Sequence, residues 1–302
     1  MYLDGGLSTE ARTYFASLVP NDDPTDFERI DDARADYAAD CFAGSERAID
    51  RHQLELSDVS FGGVPCTRVV SSRGGTSNGT LFYVFGGAFI VGSPFADLPI
   101  VGALADVCQV EVIAPHYRLA PEHPAPAALE DCFAAYRAVA EGGNQRLLLA
   151  GESAGGNLAL LVGQGAIRDG LRAPSALALL SPAVDLRTDP SLFGSTLHSD
   201  PTLSHTRVLD VSRAYVGGHH LDDSAVSPIF GSMDSLPPTV ITTGTRDLFL
   251  GMCLRLERKM RRSGVDVECR VWDGLWHVFE FYDDYPESAE SLGEIAAFLN
   301  AR

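Results

Sequence analysis

The stretch Leu147–Gly163, LLLAGESAGGNLALLVG, joins two apolar segments through a short run of small and polar residues. Its first four residues have the length and composition of a buried strand, and from Leu158 onward the apolar residues are dense enough for a buried helix. Between them, residues 151–155 have the form G-x-S-x-G. Small residues on both sides of one serine allow a tight strand-to-helix turn that exposes the serine hydroxyl. By itself, the pentapeptide is equally compatible with a glycine-rich connection in any α/β protein.

Short apolar runs and helix-length segments alternate along most of the chain. The runs predicted as strands are Leu81–Phe85, Val110–Ala114, Leu147–Ala150, Ala176–Leu180, Val240–Thr243 and Val267–Trp272. The helix-length segments are Asp97–Val107, Ala125–Ala140, Ala154–Arg168 and Leu250–Arg262. Two further segments, Leu54–Phe61 and Val64–Val70, alternate as antiparallel strands around a glycine pair. Strands that alternate with helices predict an α/β fold with a mostly parallel central sheet and helices on both faces.

Two regions lie outside this alternation, and we predict that they form a helical cap. The first is residues 1–50, where Thr25-Asp26-Phe27-Glu28 has the form of a capping box before apolar residues at helical spacing. The second is the interval from Pro182 to Pro238, which is about twice as long as a crossover needs and has helical character around Thr206–Tyr215. We therefore predict a catalytic domain over residues 51–302, with a cap insertion at about residues 183–237.

Composition and charge exclude several classes of protein. With 302 residues, of which 45% are hydrophobic, the chain is long enough to form one large domain. A formal net charge of −18 disfavours binding to nucleic acids and to anionic membranes. We find no signal peptide and no run of about 18 apolar residues that predicts a membrane span. Six widely spaced cysteines fit reduced thiols, so we expect a cytoplasmic protein, and a homodimer is left open.

A serine nucleophile needs a base and an acid, and the sequence offers both after its later strands. Active-site residues of a doubly wound sheet lie at the carboxyl ends of the strands. Asp247 follows TVITTGT, and His277 follows VECRVW. Ser153, Asp247 and His277 occur in the order nucleophile, acid, base, in which the imidazole takes the serine proton and the carboxylate orients the imidazole. Asp273 is an alternative acid, but we favour Asp247 because Asp273 lies on the same predicted loop as the histidine.

Acyl transfer also needs hydrogen-bond donors for the oxyanion that develops on the substrate. One is the backbone N–H of Ala154, which directly follows the nucleophile. The segment Gly86-Gly87-Ala88 follows a predicted strand, and its small residues let the backbone approach the substrate oxygen. We therefore predict that the N–H groups of Gly86 and Gly87 complete the oxyanion hole. The chain has no H-E-x-x-H motif and no cysteine–histidine cluster, so no metal or other cofactor is predicted.

Five motifs together resemble the hormone-sensitive-lipase-like esterases, the bacterial branch of the α/β-hydrolases with an H-G-G-G oxyanion loop. They are GESAGGN, FGGAFIVGS, HYRLAPEHPAPAALED, LPPTVITTGTRDLF and WHVF. The resemblance runs from about Phe82 to Phe279. It implies an α/β-hydrolase fold with a helical cap and a serine carboxylesterase activity. The roles that it carries over fall on Ser153, Asp247 and His277 as triad and on Gly86, Gly87 and Ala154 as oxyanion hole.

The sequence departs from the family motif at two positions of this loop. Phe85 stands where the family usually has histidine, and Ala88 stands where it usually has the third glycine. Alanine still offers an N–H group and a small side chain. Phenylalanine cannot make the hydrogen bonds with which a histidine braces the loop, so the departure at Phe85 bears on the rigidity of the hole but removes none of its donors.

The leading hypothesis is a carboxylesterase that acts on small-molecule esters with short acyl chains. A serine amidase or peptidase with the same triad is an alternative, because the residues that select the leaving group cannot be placed from sequence. A ligand-binding relative without catalysis is a second alternative. In such relatives a triad member is replaced, whereas all three candidates are present here.

Overall fold

Eight strands form one sheet in the part of the chain that the computed structural model describes, which is residues 6–18, 22–143, 146–187, 189–282 and 285–302. The strands are β1 (Leu54–Phe61), β2 (Val64–Ser71), β3 (Thr80–Val84), β4 (Glu111–Pro115), β5 (Leu147–Glu152), β6 (Leu177–Leu180), β7 (Thr239–Gly244) and β8 (Val267–Trp272). Their order is β1-β2-β4-β3-β5-β6-β7-β8. β2 pairs antiparallel with β1 and with β4, and all other neighbours pair in parallel. The predicted mostly parallel sheet is confirmed.

The helices of the described residues cover both faces of this sheet. They are α1 (Thr9–Ser17), α2 (Ile30–His52), α3 (Leu98–Cys108), α4 (Ala127–Glu141), α5 (Ser153–Arg168), α6 (His205–Val216), α7 (Leu250–Arg262) and α8 (Pro286–Asn300). α3 packs against α2 and α8, whereas α4 packs against α5. Helix α8 was not predicted, although its buried residues Leu292, Ile295 and Leu299 recur at helical spacing.

The central strands β3, β5, β6 and β7 are buried along their whole length. A parallel strand with helices on both faces has no side that meets water, so its sequence is a continuous apolar run rather than an alternation. β1 is different, because it lies at the edge of the sheet and most of its residues are exposed or half-buried. The carboxyl ends of β3, β5, β6, β7 and β8 therefore meet along one edge of a rigid, apolar core.

The N-terminal segment begins differently from the predicted capping box. The residue that caps the first turn is Asp26, whose side chain accepts a hydrogen bond from the N–H of Glu28 at 3.0 Å. This turn, Phe27–Arg29, is a 3-10 helix that leads directly into α2. Thr25, the predicted cap residue, makes a longer-range contact instead. Its N–H donates to Oδ2 of Asp210 in α6 at 3.0 Å. The segment before α2 is thereby tied to the interval between β6 and β7.

Both regions outside the alternation contact the loop that follows β3. The Arg34 side chain of α2 donates to the carbonyl oxygens of Ile90, at 2.9 Å, and Ala120, at 3.0 Å. From α6, the ring of Tyr215 stacks on Phe89, with ring centroids 3.6 Å apart. The predicted cap regions also contain residues 1–5, 19–21 and 188, which lie outside the described residues.

Glu280 is a buried carboxyl, and one of its two oxygens has a hydrogen-bond partner among the described residues. It lies in the 3-10 turn Phe279–Phe281, and its Oε1 accepts from the Ser291 hydroxyl of α8 at 3.0 Å. Its Oε2 has no partner among the described residues. Burial raises the pKa of Glu280 from its ordinary value of 4.5 to about 7, although the nearby hydroxyl of Thr242 and the hydrogen bond from Ser291 oppose the rise. Between about pH 4.5 and pH 7, the folded protein therefore keeps a proton on Glu280 that the unfolded chain has released.

We predict that Glu280→Gln changes how stability depends on pH. Because the pKa of Glu280 is higher in the folded state, its contribution to stability is full below about pH 4.5 and is lost as the pH rises to about 7. The amide of glutamine does not titrate. The stability of the variant relative to wild type should therefore improve by about 2 kcal/mol from pH 5 to pH 8, measured by urea unfolding.

Glu290→Gln on the exposed side of α8 is the matched control. It makes the same chemical change at an exposed position of the helix that contacts Glu280, so its stability difference from wild type should stay constant between the two pH values. A constant difference for Glu280→Gln as well would contradict the raised pKa.

Candidate active site

Ser153 stands at the tight turn between β5 and α5, with a φ of 51°. A positive φ is costly for a residue with a side chain, and it persists only where the surrounding structure enforces it. Here the enforcement comes from backbone contacts. A Cβ atom on Gly155 would lie 2.1 Å from the carbonyl oxygen of Val84, and one on Gly151 would lie 2.4 Å from the carbonyl oxygen of Gly155. The two glycines of the G-x-S-x-G motif therefore let the turn pack directly against β3.

The three predicted triad residues are brought together in one hydrogen-bonded row. The Nε2 atom of His277 lies 2.8 Å from Oγ of Ser153, and its Nδ1 atom lies 3.1 Å from Oδ1 of Asp247. Asp247 follows β7 and His277 follows β8, so both come from carboxyl ends of strands. Asp247 is fully buried, whereas 9% of Ser153 and 8% of His277 remain exposed. The serine and the imidazole are therefore the members of the row that a small molecule can reach.

Asp247 is held as a carboxylate by its surroundings. Its Oδ1 also accepts from the N–H of Phe249 at 2.8 Å, and its Oδ2 accepts from the hydroxyl of Thr243 at 2.7 Å. Burial by itself raises the pKa of Asp247, but the charge and the hydrogen bond of His277 outweigh burial and bring this pKa below its ordinary value. Thr243 was not singled out in the sequence, where it is one of several threonines in a strand.

The alternative acid, Asp273, lies elsewhere. It is exposed, and its Oδ1 accepts from the hydroxyl of Thr245 at 3.2 Å. Within the described residues, the carboxylate that contacts the imidazole of His277 is that of Asp247. The geometry therefore favours Asp247 over Asp273 as the orienting group.

The loop after β3 presents backbone N–H groups beside Ser153. Gly87, Ala88 and Phe89 all have positive φ values, 96°, 55° and 64°. The carbonyl oxygen of Gly87 is turned inward and accepts from two N–H groups further along the loop. No hydrogen bond to a described residue is formed by the N–H of Gly87 or Ala88. The N–H of Ala154 lies in the first turn of α5, where a helix offers no internal acceptor. These three N–H groups are available to a ligand.

Gly86, which was predicted as a donor to the substrate, lies against two buried carboxyls. A Cβ atom on Gly86 would lie 1.8 Å from Oε1 of Glu152. Burial raises the pKa of Asp97 to about 7 and that of Glu152 well above its usual range, and the N–H of Gly86 opposes both shifts. The hydroxyl of Tyr83 also donates to Asp97, at 2.9 Å. Gly86 therefore lies directly against the carboxyl of Glu152, and its N–H acts on the pKa values of both buried acids.

The ring of Phe85 is part of an aromatic brace. It stacks on the ring of Tyr117, with centroids 4.2 Å apart and an interplanar angle of 13°. The Tyr117 hydroxyl donates to the carbonyl oxygens of Phe85, at 2.9 Å, and of Gly86, at 3.3 Å. Tyr117 belongs to the HYRLAPEH stretch, which the sequence analysis quoted without assigning the tyrosine a role. Its hydroxyl could have been suspected only from knowing that it faces the loop after β3.

The described residues contain neither a cluster of metal ligands nor a membrane-spanning helix. No group of three or more histidine, cysteine, aspartate or glutamate side chains there is arranged to hold a metal ion. None of the helices described combines the length and the apolar character needed to cross a membrane.

Comparisons with known proteins identify relatives over most of the chain. Residues 81–281 match the family described as the alpha/beta hydrolase fold. An acetyl-hydrolase of Streptomyces hygroscopicus is 33% identical over 224 residues, which cover 73% of this chain and 75% of that protein. An esterase of Acinetobacter venetianus is 29% identical over 258 residues, 82% of each chain. The crystal structure of a hormone-sensitive lipase from a metagenome library superposes with a TM-score of 0.88 at 30% identity and covers 98% of this chain and 99% of that one.

Proposed function

Because the chain belongs to the family with the alpha/beta hydrolase fold, we propose that it is a serine carboxylesterase that hydrolyses esters of small carboxylic acids. Esterases and an acetyl-hydrolase are among its relatives, and the solved hormone-sensitive lipase is similar over nearly its whole length. These relatives support a place in the hormone-sensitive-lipase-like branch. The observation that carries the proposal is the continuous row Ser153–His277–Asp247 next to three free N–H groups.

In the proposed mechanism, Ser153 attacks the ester carbonyl carbon while Nε2 of His277 accepts the hydroxyl proton. Asp247 fixes the imidazole by its contact with Nδ1 and stabilises the imidazolium that forms. The imidazolium then gives its proton to the leaving alcohol, and an acyl-enzyme remains on Ser153. A water molecule, deprotonated by the same imidazole, attacks the acyl-enzyme and releases the carboxylic acid.

We propose that the oxyanion is bound by the N–H groups of Gly87, Ala88 and Ala154. This set differs from the predicted one by replacing Gly86 with Ala88, because Gly86 lies against the buried carboxyl of Glu152 and its N–H opposes the raised pKa values of Asp97 and Glu152. Donors that are fixed before the reaction stabilise developing charge without any cost of reorientation. The positive φ values at Gly87 and Ala88 direct successive N–H groups toward the same side of the loop.

We also propose that α1, α2 and the interval between β6 and β7 form the cap over this site, on the catalytic domain that starts near residue 51. The contacts of Arg34 and Tyr215 with the loop after β3 support this arrangement. A cap of this kind limits the room for the acyl chain. A preference for esters over amides rests on the relatives alone, so amide substrates belong in every assay panel.

We predict that Ser153→Ala and His277→Ala each remove nearly all hydrolysis of p-nitrophenyl butyrate while the protein stays folded. Triad members act as a unit, so the double variant should be little worse than either single one. Asp247→Asn should lower kcat by about 10³- to 10⁴-fold, since the imidazole loses its orientation.

Asp273→Asn is the matched control for the acid, because it makes the same change on a neighbouring loop and should leave kcat nearly unchanged. A larger loss from Asp273→Asn than from Asp247→Asn would transfer the role of the acid. If Ser153→Ala kept a tenth of the wild-type rate, the proposed nucleophile would be incorrect. A p-nitroanilide of the same acid, assayed in parallel, separates an esterase from an amidase.

The brace on the oxyanion loop gives a second prediction. Phe85→His should change kcat by no more than about tenfold, since the donors are backbone groups and Tyr117 still holds the loop. Tyr117→Phe keeps the stacked ring but loses the hydroxyl, and we expect it to lower kcat by about tenfold with little effect on KM. A rise of several hundredfold in Phe85→His would show that the natural loop is impaired.

We further predict that kcat/KM for a p-nitrophenyl ester of a C4 acid exceeds that for a C12 acid by at least about tenfold. The buried, stacked pair Phe89–Tyr215 joins the loop after β3 to α6, and we expect it to shorten the room for an acyl chain. The measurement uses both esters below the concentration at which they aggregate, with Ser153→Ala as the background. Faster cleavage of the C12 ester would contradict this prediction.

A further inference from the structure

Asp200 is a buried carboxyl in the interval between β6 and β7, and the mechanism above does not use it. It lies between the 3-10 turn Gly194–Thr196 and the start of α6. Only 7% of the residue is exposed. A charged side chain is rarely buried unless it is fully hydrogen-bonded, so its partners indicate what it does.

The two oxygens of Asp200 accept hydrogen bonds from different parts of the molecule. Oδ1 accepts from the N–H and the hydroxyl of Thr202, at 2.9 and 2.8 Å, and from the N–H of Leu203 at 3.1 Å. Oδ2 accepts from the N–H of Leu248 at 2.8 Å and from the N–H of His277 at 3.3 Å. Leu248 directly follows the triad acid, and His277 is the triad base. One carboxylate therefore joins the interval before α6 to both loops that carry the base and the acid.

The residues just before Asp200 also contact the loop after β7, which carries Asp247. The hydroxyl oxygen of Thr196 lies 3.3 Å from the carbonyl oxygen of Leu248, and that of Ser199 lies 3.4 Å from the carbonyl oxygen of Arg246. These two carbonyls flank Asp247. Residues 196–200 thus contact the backbone on both sides of the triad acid, and Asp200 extends the contact to the histidine.

The charge of Asp200 also acts on the triad. Burial and the neighbouring charge of Asp247 raise the pKa of Asp200, whereas the positive charge of His277 and the N–H groups of Leu248 and Thr202 oppose the rise. An ionised Asp200 therefore places a negative charge next to His277. The charged and titratable groups that face Asp200 are Asp247 on the loop after β7 and His277 on the loop after β8.

We propose that Asp200 is a positioning residue for the reaction: its carboxylate fixes the Asp247 and His277 loops relative to each other and stabilises the imidazolium through its charge. The proposal rests on the proposed serine-hydrolase function. It gives the interval between β6 and β7 a task besides covering the substrate, because displacement of residues 196–203 would loosen both loops. A carboxylate that only stabilised its own turn would need the Oδ1 contacts with Thr202 and Leu203, but not those of Oδ2.

Asp200→Asn tests the proposal, because asparagine keeps the shape but has no charge and has one acceptor oxygen for two sets of donors. We expect kcat for p-nitrophenyl butyrate to fall by about 10- to 100-fold and KM to change by less than about threefold. The acid limb of the pH–rate profile should move to lower pH by about half a unit, since the imidazolium loses a favourable charge. Both changes are required, and the absence of either one overturns the proposal.

Asp189→Asn is the matched control in the same interval. Asp189 is exposed, and the bond that its side chain accepts from the N–H of Ser191 is confined to a local turn, so both kcat and the acid limb should stay at wild-type values. Asp200→Glu, which keeps the charge but displaces it, serves if Asp200→Asn does not fold. For that variant we expect kcat to fall by at least about fivefold with an unmoved acid limb, and a wild-type kcat would overturn the proposal.

A second readout separates this proposal from the proposed function. The rate at which a fluorophosphonate probe labels Ser153 depends on the triad and not on the natural substrate, and it can be followed against pH in each variant. If wild type is labelled but hydrolyses no ester, the esterase proposal fails while Asp200 is still tested by the labelling rates. If wild type does both and Asp200→Asn is labelled at the wild-type rate, Asp200 has no positioning role.

Discussion

The site depends on one close contact between backbones, that of the G-x-S-x-G turn with the end of β3. At Gly155 a side chain would collide with the carbonyl oxygens of both Val84 and Phe85. Because nothing separates the two segments, Ser153 and the loop that begins at Phe85 hold fixed positions relative to each other. The proposed nucleophile and the N–H groups proposed to bind the oxyanion are therefore parts of one rigid unit. His277 and Asp247 have to be brought to that unit by later strands.

Several buried carboxyls surround the triad. Burial raises the pKa of each of them, and their hydrogen-bond partners decide whether the pKa ends above or below its ordinary value. Asp247 alone among them has its pKa lowered, by the adjacent His277. Asp97, Glu152 and Glu280 lack such a partner, and burial raises their pKa values. A carboxyl group near a reacting imidazole stabilises the imidazolium when it is ionised and has little effect when it is protonated. The carboxylates that contact the histidine are those of Asp247 and Asp200, whereas the raised pKa values of the other buried acids favour their uncharged forms.

Much of the fold and the site could be predicted from the sequence because their signals are local or ordered along the chain. Ser153 and Asp247 each follow a strand that is buried along its whole length, and His277 follows the edge strand β8. The rest depends on contacts between distant residues. Nothing near Gly86 in the sequence shows that the carboxyl of Glu152, 66 residues later, lies against it, and nothing near Tyr117 shows that its hydroxyl reaches Phe85. The cap residue of the first turn was misplaced by one position, because Asp26 and Thr25 are both good caps and tertiary contacts decide between them.

The position of β8 has a consequence for the protein during its synthesis. This strand lies at the edge of the sheet and pairs only with β7, and His277 follows it. The elbow and the glycine-rich loop are complete once residue 155 has left the ribosome, but the imidazole arrives more than a hundred residues later. Until β8 has docked, the nascent chain has the proposed nucleophile without its proposed base. The proposed mechanism therefore makes a partly synthesised chain inert toward esters until the last strand has joined the sheet.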